Sequence, residues 1–369
     1  MGVDKGLPIC RADHIGSLLR PNSLRLAYKA YAAGELQAEE FIERQDKAIT
    51  DAIRMQEDAG LGVVTDGEFR RRSWFAGFVD RVEGLVHKDT KFRFIEGEKA
   101  LVAVPVPHVG SKIKRVSGIA TDEFIFVQKI AARPIKITIP APSVIHFFRG
   151  PDGIERAAYP EDDLYWEDLI HVYKEEIREL GGLGLSYLQF DEVPIALFCD
   201  PNVRVRLNEW GWDWHSLFDQ YIKISNKILD SRPSTMRVGM HLCRGNFRGK
   251  WIGAGGYDDI AERLFNEVNV DQFLLEYDTD RAGNFSPLQH MPRQKAAVLG
   301  MISSKTAEME DENVLHRRLE EASRYISMDR LAISPQCGFG TTVGGAPMSE
   351  DDQRRKLELV GRVAEKAWR

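Results

Sequence analysis

Val238-Gly239-Met240-His241-Leu242-Cys243, with Phe273-Leu274-Leu275-Glu276-Tyr277-Asp278 following it, is the stretch that decides the fold. Each segment is a short apolar run that ends in side chains of metal-binding type. Strands buried on both faces of a parallel sheet read as continuous apolar runs of this kind. Working outward, the same form recurs along the chain. The runs end at Arg11 to His14, Thr65 to Glu68, Pro140 to Pro142, Phe190 to Glu192, His241 to Cys243, Glu276 to Asp278, Ser303 to Lys305 and Ser334 to Cys337, eight in all. Between them Trp166, Ile170, Tyr173, Ile177 and Leu180 recur at helical spacing, as do Leu217, Tyr221, Ile224 and Ile228, giving each segment one apolar face. Eight strand-then-helix units with polar clusters at the strand C-termini predict an α/β protein, a single (β/α)8 TIM barrel, because that fold builds its sites from the loops after the strands. An open doubly wound sheet is disfavoured, since no G-x-G-x-x-G follows the first run.

Residues 82–120 break the alternation, with β-like pieces at Phe92 to Ile95, Leu101 to Val106 and Ile113 to Val116 separated by Gly and Pro. This predicts a β-hairpin insertion over or beside the barrel rim. No linker or low-complexity segment divides the chain, so residues 1–369 are expected to form one domain. The 369 residues are 43% apolar and 29% charged with a net charge of -6, which excludes a disordered chain and carries no basic footprint for nucleic acid. No apolar run long enough for a membrane span occurs, and Asp4, Lys5, Arg11, Asp13 and His14 stand where a signal peptide would be apolar. The expectation is a cytoplasmic protein, with homo-oligomerisation left open. Cys10, Cys199, Cys243 and Cys337 are too few and scattered for a disulfide framework.

His241 and Cys243 are two residues apart on a strand, so their side chains point the same way and can chelate one ion. Glu276 ends the sixth run and Cys337 the eighth, and in a barrel all four side chains share one rim. One imidazole, two thiols and a carboxylate suit tetrahedral zinc far better than magnesium or calcium, which prefer oxygen. A metal deprotonates a bound thiol and fixes it for attack on an alkyl carbon. Glu68 and Asp191, also at strand ends, can position a cationic amine beside it.

Arg11-Ala12-Asp13-His14-Ile15-Gly16-Ser17, Val64-Thr65-Asp66-Gly67-Glu68, Leu188-Gln189-Phe190-Asp191-Glu192, His241-Leu242-Cys243, Glu276-Tyr277-Asp278 and Ser334-Pro335-Gln336-Cys337-Gly338 run in one order along nearly the whole chain. That ordered set resembles the catalytic, C-terminal barrel of the cobalamin-independent methionine synthase family, and most of all its short single-barrel bacterial members. The resemblance implies methionine biosynthesis by a zinc-dependent methyltransferase. In it His241, Cys243, Glu276 and Cys337 hold the zinc on which homocysteine binds as a thiolate. It further implies that the Ile15-Gly16-Ser17 backbone meets the amino acid carboxylate, and that Glu68 and Asp191 take its ammonium group.

Two departures bear on the second substrate, the alkyl donor. Where the synthases carry an Asp-Val-His-Ser-Pro phrase with a proton-relay His, this chain reads Ser303-Ser304-Lys305-Thr306-Ala307. Their pterin-stacking Trp after the third strand has no match in Ala141 to Phe148, where His146 or Phe148 is the available substitute. Lys305 and His14 are the candidate catalytic residues, and Arg244 and Arg248 are candidate anion-binding residues. The folate donor is therefore left open. An alternative with the same zinc core resembles the epoxyalkane:coenzyme M transferases or a C–S lyase.

Overall fold

The computed structural model describes residues 9–92 and 102–369. Six of the apolar runs are strands of one parallel sheet: β3 (Lys136–Pro140), β4 (Tyr187–Glu192), β5 (Arg237–Leu242), β6 (Gln272–Glu276), β7 (Ala296–Ile302) and β8 (Leu331–Pro335), each paired with its neighbour in chain order. They tolerate burial of nearly every residue because the two faces meet different apolar partners. Leu274, Val298 and Ala332 join Ile15 in a small cluster on one face. Their strand neighbours Phe273, Leu275, Ala297, Leu299, Leu331 and Ile333 belong to the main core on the other, as strand alternation requires.

Among the described residues, six of the eight expected runs pair as strands of this sheet. The first two runs contribute single parallel bridges, Ala12 with Ile333 and Val64 with Ile135. Backbone bonds still continue from β8 to β3 through these segments: Asp13 N to Ile333 O (3.0 Å), Gly62 N to Ala12 O (3.0 Å) and Lys136 N to Val64 O (2.9 Å). Pairing stops early because the chain turns away at once, at Gly16 (φ 139°) after the first run and at Gly67 and Glu68 (φ 69° and 59°) after the second.

Helices Asp162–Gly182, Trp214–Leu229, Asp258–Glu267, Glu312–Ala322 and Glu350–Ala367 follow β3, β4, β5, β7 and β8. The predicted stripes are their inward faces: Trp166, Ile170, Tyr173, Ile177 and Leu180 are all buried in the first of these. After β4 two short helices, Pro194–Leu197 and Pro201–Glu209, precede the long one, and Asp200 caps the second by accepting from Asn202 N. Between β6 and β7 the described residues form only 3-10 turns, Asp280–Ala282 and Ser286–His290, with Pro287 and Pro292 opposing a longer helix.

The 82–120 stretch holds an antiparallel ribbon, β1 (Val82–Phe92) with β2 (Val102–Arg115), longer than the pieces read from sequence. The piece expected at Phe92 to Ile95 lies, past Phe92, outside the described residues, as does Leu101. Among the described residues no helix is long and apolar enough to cross a membrane.

Candidate metal centre

The sheet register delivers the side chains. Asp191 on β4 pairs with His241 on β5, and Leu242 pairs with Leu275, so Cys243 and Glu276 leave adjacent strands at the same level. Cys337 follows β8 by two residues. The structure brings His241, Cys243 and Cys337 together, with their ligand atoms within 4.8 Å of one another and all three buried. Cys243 Sγ lies 3.4 Å from Cys337 Sγ.

Buried sulfurs this close share a proton. The hydrogen bond from Cys243 and the nearby His241 and Lys305 charges pull Cys337 well below the usual thiol value, and that bond and burial push Cys243 well above it. His241 directs Nδ1 at Leu274 O (3.3 Å) and leaves Nε2 buried with no hydrogen-bond partner. Burial disfavours its cationic form, but Cys337, Asp191 and Glu276 outweigh this and raise its pKa. An imidazole whose far nitrogen is fixed by a carbonyl and whose near nitrogen is orphaned beside two thiols is prepared to ligate.

Glu276 is not in that cluster. Its Oε2 accepts from Arg281 (2.9 Å) and its Oε1 from Arg244 N (3.2 Å). Burial opposes its charge, yet Lys305, Arg281 and Arg244 hold its pKa at about 2. Lys305 is buried with Nζ unpaired, and its charge acts on both Glu276 and the cysteines.

A cavity of about 440 Å³ opens onto the three donors, lined also by Ile15, Ser17, Glu68 and Asp191. Glu68 Oε1 accepts from Thr138 Oγ1 (2.8 Å) with Arg71 at 3.7 Å, while its Oε2 is buried and unpartnered. Asp191 Oδ1 accepts from Gln189 Nε2 (2.7 Å), and the same amide group donates to Ile15 O at 2.6 Å. Burial first, then the charge of Glu68, pushes Asp191 up to about 7. Glu68 and Asp191 thus place two buried carboxyl groups on one cavity wall, with Arg71 the cation beside Glu68. Gly16 is required for the shape of that wall: a Cβ there would stand 2.6 Å from Thr138 Cγ2 and 3.3 Å from Glu68 Oε1.

Other expected residues fall elsewhere. His14 is buried outside the cavity wall, its carbonyl accepting from Lys136 Nζ and its ring held neutral by burial and the Lys136 charge. Arg244 is fully buried and turned from the cavity wall, donating to Gly255 O (2.6 Å) and Tyr257 OH (2.8 Å). Arg248 is exposed at φ 53° and outside the wall. Phe148 does line the cavity, whereas His146 is buried against Trp212 and bonded to Tyr221 OH at 2.9 Å.

Sequence reading missed the outer wall: Arg72 to Ala76, His87, Ala103 to Val106, Asn246 and Phe247. Arg72 to Ala76 follow the second run, His87 and Ala103 to Val106 belong to the ribbon, and Asn246 and Phe247 lie in the loop after β5.

A parallel α/β sheet whose strand ends carry imidazole, sulfur and carboxyl groups around one cavity has the layout by which barrel enzymes build their sites. The chain belongs to the cobalamin-independent synthase family, whose catalytic-domain model matches residues 11–350. It is 36% identical over 361 residues to the uncharacterised protein YxjH of Bacillus subtilis, covering 97% of this chain and 95% of that one. It is 25% identical to the methionine synthase of Sulfurisphaera tokodaii, over 90% of this chain and 87% of the relative. Among solved structures, a Listeria monocytogenes protein assigned provisionally as a vitamin-B12-independent methionine synthase superposes with a TM-score of 0.77 at 29% identity, covering 98% of each chain.

Proposed function

We propose that this protein is a single-domain, closed (β/α)8 barrel that catalyses zinc-dependent methyl transfer to an amino acid thiol such as homocysteine, giving methionine. The observation that carries the reading is one cavity holding two sets of groups side by side: the His241, Cys243 and Cys337 donors, and the carboxyls of Asp191 and of Glu68, whose Oε2 is unpaired. The relatives named as methionine synthases support it.

The residues fit zinc by their chemistry. An orphaned imidazole nitrogen and two sulfurs, one already inclined to be thiolate, form a soft, compact donor set. Zinc bound by His241, Cys243 and Cys337 would supply the charge that keeps a substrate thiol deprotonated at neutral pH. Glu276, held ionised by Arg281 and Arg244 N, faces the same strand ends as an additional carboxylate. The chain's own groups do the rest. Glu68 and Asp191 hold the ammonium group, which fixes the amino acid end. Ile15, Gly16 and Ser17 line the side where its carboxylate lies, and Trp74, Phe75 and Phe148 keep water from the sulfur.

The coenzyme M alternative would bring a sulfonate into a cavity lined by the Glu68 and Asp191 carboxyls, and Arg244 is committed to Gly255 and Tyr257. The test is to incubate zinc-loaded protein with a methyl donor and either homocysteine or coenzyme M, and to follow the methylated thiol by mass spectrometry. Methionine formation at a rate well above methyl-coenzyme M formation is expected. Preference for the amine-free thiol refutes the reading.

A further inference from the structure

The cavity wall carries an imidazole that the thiol chemistry leaves unused. His87, on β1 of the ribbon, lines the cavity, and its Nε2 lies 2.8 Å from Asp80 Oδ1. A carboxylate can only accept, so Nε2 is the donor and Nδ1 is the ring atom free to take or give a proton. Asp80 is kept ionised: burial opposes its charge, but the bond from His87 and the Arg72 guanidinium 3.1 Å away pull its pKa down. Phe75, whose ring centre is 6.1 Å from that of His87, lines the same wall. The imidazole is 23% exposed, enough to exchange its proton with water while it remains part of the wall.

Displacing a methyl group from nitrogen leaves an electron pair that needs a proton, because an amide anion is a very poor leaving group. Glu68 and Asp191 are assigned to an ammonium group, and His241, Cys243 and Cys337 to a metal. Among the described lining residues that leaves Arg72 and His87 as titratable groups, and a guanidinium does not release its proton. Lys305 and His14, the sequence candidates, lie outside the wall.

We propose that His87, oriented by Asp80, is the general acid that protonates the leaving nitrogen of an N-methyl donor. This rests on the methyl-transfer reading above. The thiolate sulfur forms its bond to the methyl carbon as the carbon–nitrogen bond breaks. The bonding pair passes to nitrogen, which takes the proton from His87 Nδ1, and the imidazole regains a proton from water.

The test compares two donors on zinc-loaded protein with homocysteine: 5-methyltetrahydrofolate, whose nitrogen must be protonated, and S-methylmethionine, a sulfonium that departs as a neutral thioether. In His87→Gln the ratio of the N-methyl rate to the sulfonium rate should fall by about 10²–10⁴, the usual worth of general acid catalysis. His87→Asn repeats the measurement with a shorter side chain, and zinc content and circular dichroism verify folding. Equal losses with both donors would overturn the assignment and leave methyl transfer standing, as would a wild type that uses the sulfonium alone. A wild type that uses neither donor refutes the methyl-transfer reading itself.

Discussion

Replacing Asp191 by Asn should weaken the enzyme and strengthen the fold at the same time. Asp191 is buried, and its carboxyl keeps one hydrogen bond, from Gln189 Nε2 at 2.7 Å, which an Asn carbonyl oxygen can still accept. What the change removes is negative charge facing the proposed ammonium group. A hydrogen bond to a charged group is worth about 1.5–3 kcal/mol, so kcat/KM for homocysteine should fall roughly 10- to 150-fold with zinc content unchanged. Stability moves the other way. Burial and the Glu68 charge raise the folded-state pKa of Asp191 from 3.8 to about 7, so the folded protein keeps a proton that the unfolded chain has released. Above pH 4 this group therefore subtracts stability as pH rises, with the full penalty reached once pH passes about 7. Asn carries no such penalty. The variant should gain on the order of 2–5 °C in Tm over wild type at pH 8 and nothing at pH 4. Thermal melts of metal-free protein at both pH values, beside steady-state kinetics, make the assay. A variant that loses Tm at pH 8, or loses coenzyme M and homocysteine turnover equally, would refute the reasoning.

Cys243→Ser and Cys337→Ser should each abolish binding of about one zinc per chain and the activity with it, while circular dichroism stays native, because so large a core does not depend on one ion. Cys10→Ser and Cys199→Ser should keep the metal by atomic absorption, and loss of zinc in either would show the ligands misassigned. Gly16→Ala sets a Cβ 2.6 Å from Thr138 Cγ2 at a φ of 139°, so denaturant melts should show a loss of about 1–3 kcal/mol together with weaker homocysteine binding. Arg244→Met removes a buried cation bonded to Gly255 O and Tyr257 OH, and destabilisation of about 3–5 kcal/mol that added sulfonate or phosphate does not change is expected.

Parallel-sheet strands were legible in the chain because burial on both faces forces a continuous apolar run, and β3 to β8 announce themselves by that alone. His241 and Cys243 were legible as a pair because two residues on one strand must point the same way. Their meeting with Cys337 was not legible in that way, since β6 and β7 stand between β5 and β8 and the sheet must curve to bring the two strand ends together. Glu276 shows where such reasoning stops. Its position at a strand end was correct, but the sheet places Arg281 2.9 Å from it, a partner that spacing along the chain does not reveal. Arg244 is a similar case: a basic side chain near a rim can turn toward a backbone carbonyl as readily as toward a substrate, and only packing decides which. The outer wall, with Trp74, Phe75 and His87, was decided by tertiary structure alone. A ribbon and a loop reach the strand ends through space rather than through a periodic pattern, so the second half of the cavity has no one-dimensional signature.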